Sequence, residues 1–262
     1  MKTLKEKTPQ YLCHVFVKRK QSNYFNYITE NASGHVVVCQ VDYAENFTLY
    51  KQDQIQSAHW SNKQVSIFTA YAWFGGSGGK RQPFTFVSNT TEHNKYTVIT
   101  CLEILVDEII HIMPDVDEII FFSDGAGNQF KNRYVIQHLT TMMDRTDIDF
   151  SWNYFASAHG KGVVDGLGGT LKRLVWLDIM AGDHCSSARD FVDICQQKSK
   201  AVIVGLVQQA QYDSTKFLLE NTFKTISGIP DIRKQHHINV LHKNIVEYAQ
   251  YATSENKYVF RF

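Results

Sequence analysis

Two short apolar runs that each end on an aspartate constrain this chain more than any other feature. His35–Tyr43 (HVVVCQVDY) is β-branched and apolar and reads as a buried strand with Asp42 at its end. Val116–Ser123 (VDEIIFFS) is a second such strand, closed by Asp124-Gly125. Between them lie Gln64–Phe74 (QVSIFTAYAWF) and Pro83–Ser88 (PFTFVS), two strands joined by the flexible GGSGG at 75–79 and expected to pair as a hairpin. Residues 97–112 repeat apolar side chains at helical spacing (Val98, Cys101, Leu102, Leu105, Ile109), an amphipathic helix that Pro114 ends. Asn128–Met143 reads as helix, Asp149–Ala156 (DFSWNYFA) as a fifth strand, and Val163–Met180 as a further helix.

The order β-β-β-α-β-α-β-α is that of an RNase H-like fold, an α/β class with a mixed five-stranded sheet flanked by helices. On this reading residues 1–34, polar and basic (Lys18, Arg19, Lys20), are an N-terminal extension. Residues 35–182 are the core, and 183–262 form a mostly helical C-terminal region. Its expected helices are 189–200, 204–223 and 244–252, with a short strand at 257–262.

The 262 residues, 44% hydrophobic, suffice for one large domain or a domain with an appendage. The formal charge is only +1, from 27 basic and 26 acidic residues, so a nucleic-acid surface has to be local. The five cysteines are scattered, odd in number and without a C-x-x-C pair, which points to reduced thiols in an intracellular protein. The lysine-rich start carries no signal peptide, and no apolar stretch nears the ~20 residues that span a bilayer. GGSGGK at 75–80 is no phosphate loop, because Lys80 is followed by Arg81. The histidines and cysteines match no standard zinc spacing.

The chemistry rests on three acids. Asp42 ends the first strand, Asp124 follows the fourth, and Asp165 opens the helix after the fifth. In an RNase H-like sheet the first and fourth strands are neighbours and that helix packs over their ends, so the three would meet. Crowded carboxylates repel and raise one another's pKa unless a cation binds. Two divalent ions about 4 Å apart would serve phosphodiester cleavage, and hard oxygen ligands suit Mg²⁺ or Mn²⁺. An aspartate after a strand is also an ordinary turn former, and Asp124-Gly125 fits that role.

Gly166, Gly168 and Gly169 follow Asp165 inside a helix, where each costs about 0.5–1 kcal/mol relative to alanine. Asp165, Gly168, Gly169 and Lys172 share one face, which suits close approach of a phosphate backbone or close helix–sheet packing. His159, just before the third acid, is a candidate to orient water or bind the scissile phosphate, and Lys161 to contact phosphate. Lys131, Arg133, Lys172 and Arg173 are further candidates for DNA phosphates. Gln56, His59 and Trp60 lie between the first two strands; Trp60 suits either base stacking or the core. Glu45 is a substitute or supporting acid, or a solvated loop charge.

Three blocks resemble the motif set of transposon-derived animal proteins with an RNase H-like DDE/D transposase core. They are VDYAENFTLYKQDQIQSAHW (41–60), FFSDGAGNQFKNR (121–133) and WNYFASAHGKGVVDGLGGTLKR (152–173), with a fainter echo in Ile229-Pro230 and His236-His237. The resemblance spans roughly residues 36–240. It implies DNA strand cleavage and transfer by Asp42, Asp124 and Asp165 with two Mg²⁺ or Mn²⁺ ions, on transposon ends and target DNA. It also implies a homo-oligomer that brings two ends together, and a nuclear location. The third acid is an aspartate where glutamate is commoner, a shorter arm that needs its helix closer to the metals. Competing readings are a plain RNase H-like nuclease, and a domesticated, inactive domain that binds DNA or protein. An actin-like ATPase shares the sheet order but would need a second glycine-rich phosphate hairpin near the first strand.

Overall fold

The computed structural model describes residues 2–49, 63–156 and 162–262. In chain order the elements are α1 (Lys2–Asn31), β1 (Val36–Thr48), β2 (Gln64–Phe74), β3 (Arg81–Ser88), α2 (Lys95–Ile112), β4 (Glu118–Ser123), α3 (Arg133–Thr146) and β5 (Asp149–Tyr154). There follow α4 (Val163–Met180), α5 (Ala188–Lys198), β6 (Ile203–Val207), α6 (Gln209–Phe223), a 3-10 turn (Ile232–Lys234), β7 (His237–His242), β8 (Ile245–Ala249) and β9 (Tyr258–Arg261). Among the described residues no helix is long and apolar enough to cross a membrane.

The apolar runs form a sheet covered on both faces, which is why they read as continuous rather than alternating. Its centre runs β3-β2-β1-β4-β5, with β1, β2 and β3 antiparallel in turn and β4 and β5 parallel to β1. The β2–β3 hairpin and the pairing of β1 with β4 are as expected from the sequence. On one face Val37, Cys39, Val41, Phe68, Phe121, Phe150 and Trp152 pack against α2, α3 and α6. On the other, Ile67, Val87 and Phe47 pack against Leu171 and Val175 of α4 and Phe191 of α5. Val38, Ile120 and Phe122 on that same second face meet Tyr24, Phe25 and Ile28 of α1.

The sheet has nine strands, not five, and the C-terminal region is not mostly helical. The order β6-β3-β2-β1-β4-β5-β7-β8-β9 shows that this region supplies both edges of the sheet. Two local patterns hid this. Ile203–Val207 runs through the single residue Gln208 into α6, so the apolar run and the helix merge into one apparent helix at 204–223. Across β8 and the turn after it, Ile245, Tyr248, Ala249 and Ala252 fall at helical spacing by coincidence, and the short strand carries Glu247 in place of a continuous apolar run. Asn244, in the left-handed region (φ 60°), makes the β7–β8 turn, and its amide donates to Thr140 Oγ1 of α3 at 2.9 Å.

The N-terminal 34 residues are also more than an extension. Val17, Gln21, Tyr24, Phe25 and Ile28 make a narrow helical stripe in a polar sequence. The fully buried Gln21 fixes it: Nε2 donates to the carbonyls of Tyr154 (3.1 Å) and His236 (2.7 Å), and Oε1 accepts from Ala252 N (2.9 Å). Finally, α3 starts at Arg133 rather than 128. The Asn132 side chain caps it by accepting from Tyr134 N and Val135 N, leaving 124–132 as a loop.

Candidate functional site

The register of β1 and β4 brings two acids together. Val36 lies opposite Glu118 and Gln40 opposite Phe122, an offset of 82 (118 − 36). The same offset separates Asp42 from Asp124 (124 − 42), so two residues past the last paired position the carboxylates stand side by side. Both have the strand parity of Val38, Ile120 and Phe122, which face α1 and α4 rather than α2 and α3.

The third acid is delivered by α4. A Cβ on Gly162 would lie 2.9 Å from the Gln40 side chain, and one on Gly168 would lie 2.7 Å from Ala44 Cβ. The start of α4 is therefore seated on β1 from Gln40 to Ala44, with Asp165 between the two contacts and Asp42 between their partners. Gly168 serves close helix–sheet packing. Gly166 and Gly169 have nothing within 4 Å and leave an open face. Asp165 is exposed, and its Oδ2 accepts from Gly162 N at 3.0 Å in the first turn of α4.

Electrostatics record the convergence. Asp42 is pushed up to about 7, first by burial and then by Asp124 and Asp165, against a backbone hydrogen bond from Tyr43 N. Asp124 is also raised, by burial first and by Asp165, against a hydrogen bond from Ala126 N at 3.1 Å. Among the described residues no lysine, arginine or histidine forms an ion pair with any of the three. Nor, among those residues, do three Asp, Glu, His or Cys side chains gather closely enough to hold a metal ion by themselves, so at most two of these acids could ligate one ion directly. Mutually repelling carboxylates without a counter-cation fit an open site, in which one or two carboxylates hold Mg²⁺ or Mn²⁺ while water and substrate oxygens complete its shell.

The other candidates separate. Glu45 is exposed and its charge acts on Lys172, whose ammonium burial lowers. Lys172 and Arg173 line a cavity of about 420 Å³ with Trp176 of α4 and Asn46, Phe47 and Thr48 at the end of β1. Arg133 is exposed and stacks on Tyr134, its guanidinium 4.9 Å from the ring centre. Lys131 is only 7% exposed, and its Nζ donates to the Arg233 carbonyl at 3.1 Å instead of facing solvent from a helix. His159, Lys161, Gln56, His59 and Trp60 lie outside the described residues.

The sequence reading missed His93. It stacks on Tyr43 (centroids 4.0 Å apart), and its Nε2 sits 3.0 Å from Asn46 Oδ1. Its Nδ1 lies 3.4 Å from Gln129 Nε2, so it ties the end of β1 to the loop after Asp124. No spacing announces it; only the topology, which puts the loop after β3 at the same sheet edge as Asp42, does so.

Residues 21–252 match the family described as a domain of unknown function (DUF8701). The chain belongs to this family. No curated protein matches the sequence. Among solved structures, the human cytomegalovirus terminase nuclease domain is similar at 12% identity over 74% of this chain and 78% of that one, with a TM-score of 0.28. The N. crassa QDE-2 AGO MID-PIWI domains are similar at 12% identity over 76% and 58%, also with a TM-score of 0.28. The chemistry of the site is read from its own residues.

Proposed function

We propose that this protein is a two-metal-ion nuclease and strand transferase acting on DNA, the catalytic domain of a DDE/D-type transposase. The observation that carries this reading is the register match that sets Asp42 beside Asp124 under the α4 turn bearing Asp165, with no ion-pair partner for them among the described residues. Asp42 and Asp124 would hold the ions and Asp165 would complete the set. Mg²⁺ or Mn²⁺, when bound, supplies charge stabilisation and a water of lowered pKa at a phosphodiester. The chain's own part is to hold the carboxylates in fixed positions on strand ends, to keep Asp42 and Asp124 half-buried, and to present Lys172 and Arg173 to phosphate. His159 and Lys161 stand next to the third acid in sequence and are assigned the scissile phosphate. A homo-oligomer pairing two DNA ends, in the nucleus, belongs to the same reading.

The test is a labelled DNA duplex incubated with the full chain in Mn²⁺, Mg²⁺ or EDTA, scored for cleaved and for joined products. Cleavage and joining with metal, lost in Asp42→Asn and Asp124→Asn proteins of unaltered circular dichroism, are expected. Cleavage without joining would reduce the reading to a nuclease. Cleavage that survives both substitutions would sink it. One observation favours a second reading, an inactive DNA-binding domain: Asp165 is engaged with Gly162 N as a helix-capping acid. Metal-independent DNA binding with no cleavage would select it.

A further inference from the structure

A cavity of about 620 Å³ opens immediately after Asp124, walled by Gly125, Gly127, Asn128, Lys131, Arg233 and His236 among others, and among the described residues no carboxylate lines it. Its base is the Lys131 ammonium. Lys131 is 7% exposed, its stem passes 3.7 Å from where a Gly125 Cβ would sit, and its Nζ lies 5.0 Å from the Tyr154 ring centre. One of its three N–H donors is taken by the Arg233 carbonyl. Among the described residues it has no ion-pair partner. A buried ammonium without a carboxylate is unfavourable on its own, and burial pushes Lys131 down to about 8. His236 beside it is held near 4, by burial first and then by the Lys131 charge, so it adds no charge at neutral pH. The exposed Arg233 is the second cation of the wall. It sits on the 3-10 turn that leads into β7 and so arrives from more than 100 residues away in sequence.

We propose that this cavity is a phosphate subsite, in which Lys131 Nζ and the Arg233 guanidinium hold a non-scissile phosphate of the nucleic-acid strand whose reacting phosphate lies at Asp42 and Asp124. The inference rests on the function proposed above. Three features support it. The cavity begins one residue from a candidate metal ligand, at the sheet edge where the loops after β4 and before β7 meet. Gly125 and Gly127 add no side chain to the part of its wall nearest Asp124. It contains buried positive charge that an anion would neutralise, and charge-assisted bonds to phosphate are the stronger kind.

The test is fluorescence anisotropy of labelled single-stranded oligodeoxynucleotides in EDTA, with 5′-phosphate or 5′-hydroxyl ends, across a salt series. Arg233→Ala should weaken binding about 5-fold at 0.1 M salt and flatten the salt slope by about 0.7, the loss of one phosphate contact on a single strand. Lys131→Met should do the same without lowering the melting temperature; if that variant fails to fold, Arg233→Ala decides. A loss confined to the 5′-phosphorylated strand assigns the site to a terminal phosphate, and an equal loss on both strands to an internal phosphodiester. An Arg233→Ala protein with wild-type affinity and salt slope would overturn the proposal. Cleavage by the wild-type protein is scored separately. An Arg233 effect without metal-dependent cleavage would remove the catalytic reading and keep the subsite, and cleavage without an Arg233 effect would do the reverse.

Discussion

The molecule treats two groups of charged side chains in opposite ways. At the C-terminal ends of β1 and β4, Asp42, Asp124 and Asp165 act on one another with no ion-pair partner among the described residues, and Asp42 is driven up to about 7 by burial and by the other two. Between α2 and α3, Glu103 is nearly as enclosed but accepts from His138 Nε2 at 2.6 Å and from the Arg145 guanidinium. There burial works upward, but the bonds from His138 and Arg145 outweigh it and hold Glu103 below the usual range. The Glu103 cluster is neutralised by partners within the protein; the acid cluster, among the described residues, is not, and on the proposed reading a bound cation completes it.

The largest test of that contrast is Asp124→Asn. It should lower Mn²⁺-dependent cleavage on the order of 10³-fold, because several kcal/mol of charge stabilisation pass through the ligands it disrupts. Circular dichroism and melting temperature should stay at wild-type values, since among the described residues Asp124 has no ion-pair partner to lose. Glu103→Ala should behave in the opposite sense, with a loss of roughly 2 kcal/mol by urea titration as charge-assisted hydrogen bonds go. Because Glu103 is depressed in the fold, its contribution is present above the unfolded carboxylate pKa and is lost as pH falls through the lower folded value. The variant's deficit should therefore shrink in acid. A deficit that is flat from neutral pH down to strongly acid conditions would contradict the pairing.

The sequence made the acid edge readable because strands there are central and covered on both faces. A run such as HVVVC or EIIFF has no other reading, and the aspartate that follows is conspicuous. Gln64–Phe74 and Val163–Met180 stand where the periodicity puts them. The strands outside the five central ones were hidden for the converse reason: IVGLV abuts a helix, and IVEYA, short and interrupted by Glu247, carries helical spacing. The stripe on α1 was diluted by polar neighbours, so Gln21, which anchors that helix, gave no signal at all. Arg233 and His93 reach the acid edge only through chain connections of long range, and no local pattern encodes those.

Gly168 is where packing and site meet. Gly168→Ala sets two methyl groups 2.7 Å apart unless α4 rises off β1, which should cost about 1–3 kcal/mol of stability and move Asp165 from Asp42. Chemical denaturation and the cleavage rate should fall together; a drop in stability alone would detach α4 from the site. A smaller effect comes from relieving the repulsion directly. Asp42 is raised in the fold, so its protonated form is favoured and stability is lost as pH climbs from the unfolded value through about 7. In EDTA at pH 8, Asp42→Asn should thus melt ~2–4 °C above wild type, the equivalent of about 1 kcal/mol after allowing for its partial exposure. The gain should vanish toward pH 4, and Mn²⁺ should raise the wild type but not the variant.

The smallest effect lies one residue beyond Gly168. Gly169 faces open space in mid-helix, so Gly169→Ala should stabilise by about 0.5–1 kcal/mol, through lost backbone entropy in the unfolded chain, with no steric penalty. Stability and DNA affinity then separate two uses of the same bare surface. If a phosphate backbone passes over this face toward Asp165, the added methyl should weaken DNA binding even as it raises the melting temperature. If both improve or only stability changes, the open face is not on the path of the strand, and the approach to the acids runs over the loop after Asp124 instead.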